Sequence, residues 1–155
     1  MNRIKSCLPK KVKQVYVLEL ESGKYYIGES INPKKRIEDH FNGFGSQWTK
    51  LYPPIHILKP FTKKQDELWE LSETIQRMVY HGIDNVRGSL FTKENLTSYD
   101  KVMAAQLYCE MNNLCRKCGS SNHFINQCVS LNKEPWVYQF GGSLSFENIN
   151  ECTSI

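Results

Sequence analysis

The first patterned stretch of the chain is Val15-Tyr16-Val17-Leu18-Glu19-Leu20, rich in β-branched and aromatic residues, which predicts a strand over 15–20. Glu21-Ser22-Gly23-Lys24 supplies turn residues, and Tyr25-Tyr26-Ile27-Gly28-Glu29 predicts the returning strand of a β-hairpin. Asn32-Pro33 marks a helix start, because Asn caps with its side chain and Pro fits the first helical position. That helix is expected over 33–41, with Gly43 and Gly45 ending it. Residues 46–52 read as a loop, and Ile55-His56-Ile57-Leu58 alternates as a short strand closed by Pro60. From 64 to 80, Leu68, Leu71, Ile75, Met78 and Val79 recur at helical steps, and Gly82 is placed to end the helix. Residues 83–97 carry no period, and Ser98 is expected to cap a further helix running to Asn113. The predicted order is ββαβα and then α, an α/β fold with a small three-stranded antiparallel sheet flanked by helices.

From Leu114 the chain turns small, polar and cysteine-rich. The expected organisation is a basic lead-in over 1–12, a core over 13–97, a helical extension over 98–114, a cysteine module over 115–128, and an aromatic segment with a disordered tail over 129–155. Trp136, Tyr138 and Phe140 alternate as in a strand and are expected to pack back on the cysteine module or the preceding helix. Twenty Lys and Arg against sixteen Asp and Glu give a net charge of +4, which permits a polyanionic partner without demanding one. No apolar run approaches the roughly 18 residues of a membrane span, and the opening residues do not resemble an export signal, so an intracellular protein away from membranes is expected. In such a compartment, Cys115, Cys118 and Cys128 clustered beside His123 point to a metal in place of disulfides.

The first half of the chain holds an unusual set of side chains: Tyr16 and Tyr26 on paired strands, Arg36 and His40 one helical turn apart, and Glu73 on the next helix. Cleaving a phosphodiester needs an activated water, a cation to offset charge on the phosphorus, and commonly a divalent metal on carboxylate oxygen; these residue types supply all three. The residues resemble the GIY-YIG nucleases. The second half-motif stands as Tyr26-Ile27-Gly28, and the first as Gln14-Val15-Tyr16, with Gln14 in place of the name-giving glycine. Arg36, His40, Glu73 and, twelve residues after Glu73, Asn85 follow in the family's order, so the resemblance covers Lys13 to Gly88. The segment Gly82 to Gly88 looks like the version found in large DNA viruses.

The resemblance implies that Tyr16 takes a proton from the attacking water, that Arg36 stabilises the developing negative charge, and that Glu73 holds one Mg²⁺ or Mn²⁺. Tyr26 and His40 would assist, Gly28 would allow close approach, and Asn85 would be structural. Glu67 and Glu70 offer the same oxygen chemistry on the same helix and stay open as alternatives to Glu73. Lys34 and Lys35, beside Arg36, are candidates for contacting nucleic acid.

Cys115, Cys118, His123 and Cys128 form C-x2-C-x4-H-x4-C, the spacing of a CCHC zinc knuckle, in which Zn²⁺ supplies the folding energy of a loop with few apolar residues. Knuckles resembling this one bind single-stranded nucleic acid, and Arg116, Lys117 and Phe124 are the candidate contacts here. The expected function is a metal-dependent endonuclease acting on DNA, with the knuckle assisting binding. The alternatives are a non-catalytic single-stranded nucleic-acid-binding protein with a nuclease-like fold, and a nuclease for RNA or branched DNA.

Overall fold

A computed structural model of the chain describes residues 11–63, 67–147 and 149. Most of the basic lead-in therefore lies outside the described residues, as does the predicted helix start at 64–66. Strands β1 (Gln14–Leu20) and β2 (Lys24–Ser30) form the predicted hairpin, joined by a single tight turn in which Ser22 and Gly23 take φ of 61° and 67°. Their register sets Tyr16 opposite Gly28 and Leu18 opposite Tyr26. Strand β3 (Pro54–Lys63) pairs with the other side of β1 and runs past Pro60, which was expected to close it. Two features make the proline tolerable: β3 is an edge strand, and the register slips between Val17 opposite Lys59 and Val15 opposite Thr62.

The sheet has four strands and is mixed, correcting the expectation of three antiparallel ones. β4 (Val86–Gly88) lies parallel to β2, giving the order β3-β1-β2-β4. A strand of three residues is too short to show a period, and pairing with β2 is what makes it a strand. Its Arg87, 1% exposed, donates to the carbonyls of Ile83, Val86, Lys93 and Glu94, fastening the loop that follows.

The two sheet faces bury different partners, as alternation along a strand requires. Val15, Val17 and Ile27 share a core with Leu71, Ile75 and Met78 of α3 (Trp69–His81), and that core continues through Ala104, Ala105 and Cys109 of α4 (Ser98–Asn112). Tyr16, Leu18 and Leu20, on the opposite face, cluster with Ile37 of α1 (Pro33–Phe41) and Trp48 of α2 (Gln47–Leu51). For the naming of these helices in chain order, α1 and α2 precede β3, and α5 (Pro135–Gln139) is the last.

Caps account for most helix boundaries. Asn32 caps α1 as predicted, its side chain accepting from Lys35 N–H. α2 replaces the loop expected over 46–52, because the Ser46 side chain accepts from Thr49 N–H and starts a helical turn. Thr97, and not Ser98, caps α4: Thr97 and Asp100 exchange side-chain and backbone hydrogen bonds in a capping box. The predicted strand at Trp136 to Phe140 is instead α5, with Pro135 in its first turn. Its aromatics do pack back: the Tyr108 and Trp136 rings meet edge-on at 4.6 Å, and Trp136 donates to the Gly119 carbonyl. Part of the tail expected to be disordered is also folded, with Leu144 3% exposed and its carbonyl accepting from the Gln106 side chain.

Candidate active site

Alternation places Tyr16 and Tyr26 on the same sheet face, with ring centroids 6.4 Å apart. α1 crosses that face, and its four-residue period brings Arg36 and His40 to the tyrosines. Gly28 is required by Tyr16 itself: a Cβ there would stand 2.5 Å from Tyr16 Cζ. The sequence reading assigned this glycine to the approach of substrate, whereas the structure shows it making room for a side chain across the strand pair.

His40 is completely buried and engaged at both ring nitrogens. Nε2 lies 3.0 Å from the Tyr16 hydroxyl and Nδ1 lies 2.8 Å from Thr49 Oγ1. The hydrogen-bond network assigns the tautomer. Thr49 Oγ1 donates its own hydrogen to the Ser46 carbonyl at 3.1 Å, so it accepts from Nδ1–H, and Nε2 is left with its lone pair toward the Tyr16 O–H. Gly45 leaves the space for this contact, since a Cβ there would stand 2.6 Å from Thr49 Oγ1 and closer still to His40 Nδ1. Thr49 was missed from sequence; the readable signal was Ser46 three residues before it, a capping spacing.

The electrostatics follow from burial. Burial, then the charge of Arg36, lowers His40 to about 4, so the imidazole is neutral at ordinary pH. Burial, then Tyr26, pushes Tyr16 well above a normal phenol, while Arg36 works against the rise through charge and hydrogen bonding. Tyr26 is likewise raised, first by burial and then by Glu70, with Arg36 opposing. Tyr16 is therefore a protonated phenol held against a neutral imidazole, with a cation beside the pair.

Glu70 on α3 acts electrostatically on both tyrosines, and its Oε1 accepts from Ser89 N–H at 3.2 Å. Glu73, three residues along the same helix, accepts from Arg77 Nε at 3.2 Å. The two carboxylates lie on one side of α3 and offer hard oxygen donors suited to Mg²⁺ or Mn²⁺. Lys34 and Lys35 are exposed on α1, one turn from His40. Asn85 stands apart from the tyrosines, its amide donating to the His81 carbonyl at 2.7 Å and its oxygen accepting from Lys24 at 2.9 Å.

Residues 12–75 match the model of the GIY-YIG catalytic domain. The match takes in β1, β2, α1, α2, β3 and the first half of α3, and with them Tyr16, Tyr26, Gly28, Arg36, His40 and Glu73. Asn85 and the segment Gly82–Gly88, on which the likeness to the viral version rests, lie beyond the GIY-YIG match, as does everything from α4 onward. Comparison with curated proteins and with solved structures returned no match.

A second group of side chains gathers beyond α4. The ligand atoms of Cys115, Cys118, His123 and Cys128 all lie within 4.8 Å of one another, compatible with a zinc site. A tetrahedral Zn²⁺ with Zn–S bonds of about 2.3 Å holds its sulfurs about 3.8 Å apart, so the cluster is within about an ångström of metal-bound spacing. Burial works to raise the Cys115 thiol, but backbone N–H groups of Cys118 and Lys117 bring it below its ordinary value. Burial and the neighbouring thiols push Cys118 up to about 11, a repulsion that a dication would relieve. Arg116 pairs with Glu110 on α4, and Phe124 is 57% exposed. Among the described residues no helix is long and apolar enough to cross a membrane.

Proposed function

We propose that the chain is an endonuclease that hydrolyses nucleic-acid phosphodiesters with the help of a divalent cation, and that DNA is its substrate. The observation that carries this reading is the chain of hydrogen bonds from Tyr16 through His40 to Thr49. A raised Tyr16 cannot act as a free phenolate at neutral pH, so it needs a partner to take its proton. The neutral His40 Nε2, held in the right tautomer, is that partner. As water attacks the phosphorus, its proton passes to the Tyr16 oxygen while the Tyr16 proton passes to His40 Nε2. The new P–O bond forms, the ester P–O bond breaks, and Arg36 offsets the charge accumulating on the phosphoryl oxygens. Tyr16 is only 1% exposed, so water and phosphate would reach it past the half-buried Tyr26 and Arg36.

The donor set on α3 fits a hard divalent cation, which when bound would stabilise charge on the phosphate as a Lewis acid. Glu73 would hold it by the family's spacing, with Glu70 near enough to the tyrosines to share it. A Zn²⁺ at Cys115, Cys118, His123 and Cys128 would fold the knuckle, whose Arg116, Lys117 and Phe124 would then contact nucleic acid. The loose likeness to viral members and an intracellular site of action are part of the same reading.

The test is incubation of zinc-loaded protein with supercoiled plasmid, branched DNA and structured RNA in Mg²⁺, beside His40→Ala, Glu70→Gln and Glu73→Gln. Cutting of DNA that each substitution reduces by a factor of about 10² or more supports the reading. A folded wild type that cuts none of these substrates overturns it, and a preference for RNA corrects the substrate.

A further inference from the structure

The cysteine cluster and the C-terminal segment enclose a cavity that the catalytic site does not explain. Residues beyond α5 turn back at Gly141 and Gly142, with φ of 89° and 81°, and lay Leu144 into the core. Lys133 Nζ holds the returning chain by donating to the Gly142 carbonyl at 2.6 Å, and the rings of Tyr99 and Phe146 meet at 4.9 Å. Between this segment and the cluster lies a cavity of about 770 Å³. That is within the ~300–1,000 Å³ range of ligand sites.

Its lining is divided by chemistry. Arg116, Lys117 and Lys133 supply three cations against the single carboxylate of Glu147, while Ile125, Leu144 and Phe146 supply apolar surface. A second cavity of about 150 Å³ shares Arg116 and Ile125 with the first and adds Phe124. The two therefore form neighbouring compartments across one cationic side chain. Phe124, Ile125 and Phe146 are 57%, 55% and 45% exposed, so three large apolar side chains stand in water beside positive charge. Apolar surface left exposed in one place marks a contact site, and cations interleaved with it select a ligand having both negative charge and flat apolar faces.

We propose that these paired compartments bind single-stranded nucleic acid, with phosphates on Arg116, Lys117 and Lys133 and successive bases on Phe146, Ile125 and Phe124. A duplex presents its phosphates outward and keeps its bases stacked inside, so it could use the cations but not the recessed apolar walls. The C-terminal segment is thus half of the site, and a knuckle alone would lack the Lys133 and Phe146 wall. This deepens the nucleic-acid part of the function proposed above and is independent of cutting.

The experiment is fluorescence anisotropy of a labelled oligothymidylate with the full zinc-loaded chain, in the absence of Mg²⁺, over a range of salt. Phe146→Ala and Lys117→Glu are compared with wild type, with Lys34→Glu/Lys35→Glu on α1 as the contrast; circular dichroism checks that each is folded. Loss of one base stack should weaken binding about 10-fold or more. Loss of one phosphate contact should also lower the salt slope by about 1. Lys133→Glu should weaken binding too, and Lys133→Arg should restore it if the cation matters more than the tie to Gly142. Unchanged affinity in folded Phe146→Ala and Lys117→Glu overturns the proposal, as does binding lost only in the α1 variant. Equal affinity for polyglutamate would reassign the site to an acidic peptide. A wild type that binds here but cuts nothing removes the nuclease reading and leaves this site standing; one that cuts normally but binds elsewhere does the reverse.

Discussion

Replacing Thr49 by Val tests the catalytic reading at a residue that touches neither the phosphate nor the metal. The substitution keeps the shape of the side chain and removes the oxygen that accepts from His40 Nδ1–H at 2.8 Å. His40 is 0% exposed, so water cannot replace that acceptor. A buried donor left without a partner costs about 1–3 kcal/mol. The same amount is what Thr49 contributes to keeping the proton on Nδ1, so its loss lets the other tautomer compete and turns Nε2 from acceptor into donor toward Tyr16. At about 1.4 kcal/mol per tenfold, the productive population and the cleavage rate should fall about 10- to 100-fold. The same loss lowers Tm by roughly 2–10 °C, so the assay belongs well below the transition. Initial rates are measured from pH 4.5 to 8.5 for wild type, Thr49→Val and Thr49→Ser. The serine variant keeps the hydroxyl and should recover most of the rate, and the valine variant should be slow across the whole range. A folded Thr49→Val that cuts at the wild-type rate refutes the assignment of His40 as acceptor for the Tyr16 proton.

Three further outcomes follow from particular contacts. His40 is held at about 4 in the folded chain against about 6.5 when unfolded. The unfolded state therefore binds the extra proton first, and stability should be full above pH 6.5 and fall between 6.5 and 4 by up to about 3 kcal/mol; denaturant titrations of His40→Gln should lack most of that slope. Arg87→Ala strips four backbone carbonyls of their donor and removes the guanidinium stacked 4.4 Å over Trp48. It should cost at least about 3 kcal/mol, seen as a Tm lower by roughly 6–12 °C in calorimetry, and Arg87→Lys should recover little of it. Removing Zn²⁺ with a chelator should change tryptophan fluorescence, because Trp136 donates to Gly119 within the cluster loop; the change should vanish in Trp136→Phe, and a zinc-independent spectrum would count against a structural metal.

What could be read from the residues was what local chemistry decides. The hairpin, the Asn32 cap, the α3 stripe and the spacing of the cysteines depend on neighbours a few positions away, and the structure has each of them. What could not be read depends on distant partners. β4 is a strand because β2 lies beside it, and Trp136 to Phe140 form a helix because Tyr108 and Gly119 receive that face. Alternation of aromatics over five residues suits a strand and a short helix equally, so Pro135 was the better signal. In the site, Tyr16, Tyr26, Arg36 and His40 were named from their order in the chain, and the structure brings all four together. Thr49 was hidden because its role exists only once α2 folds against α1. The choice between Glu70 and Glu73 was equally inaccessible, since which carboxylate influences the tyrosines depends on how α3 enters the sheet end near Ser89.

The core that begins at Val15 and Val17 on β1 does not stop at the sheet but passes through α3 and α4 to Val137, Phe140 and Leu144. The gripping surface and the cutting surface are thus bolted to one frame, and no hinge separates them along that path. α4, at fifteen residues, is about 22 Å long and works as a measuring rod between them. Lengthening it by one residue would move the grip by about 1.5 Å and swing it by about 100°, so its length is a dial for the offset between where a strand is held and where it is cut.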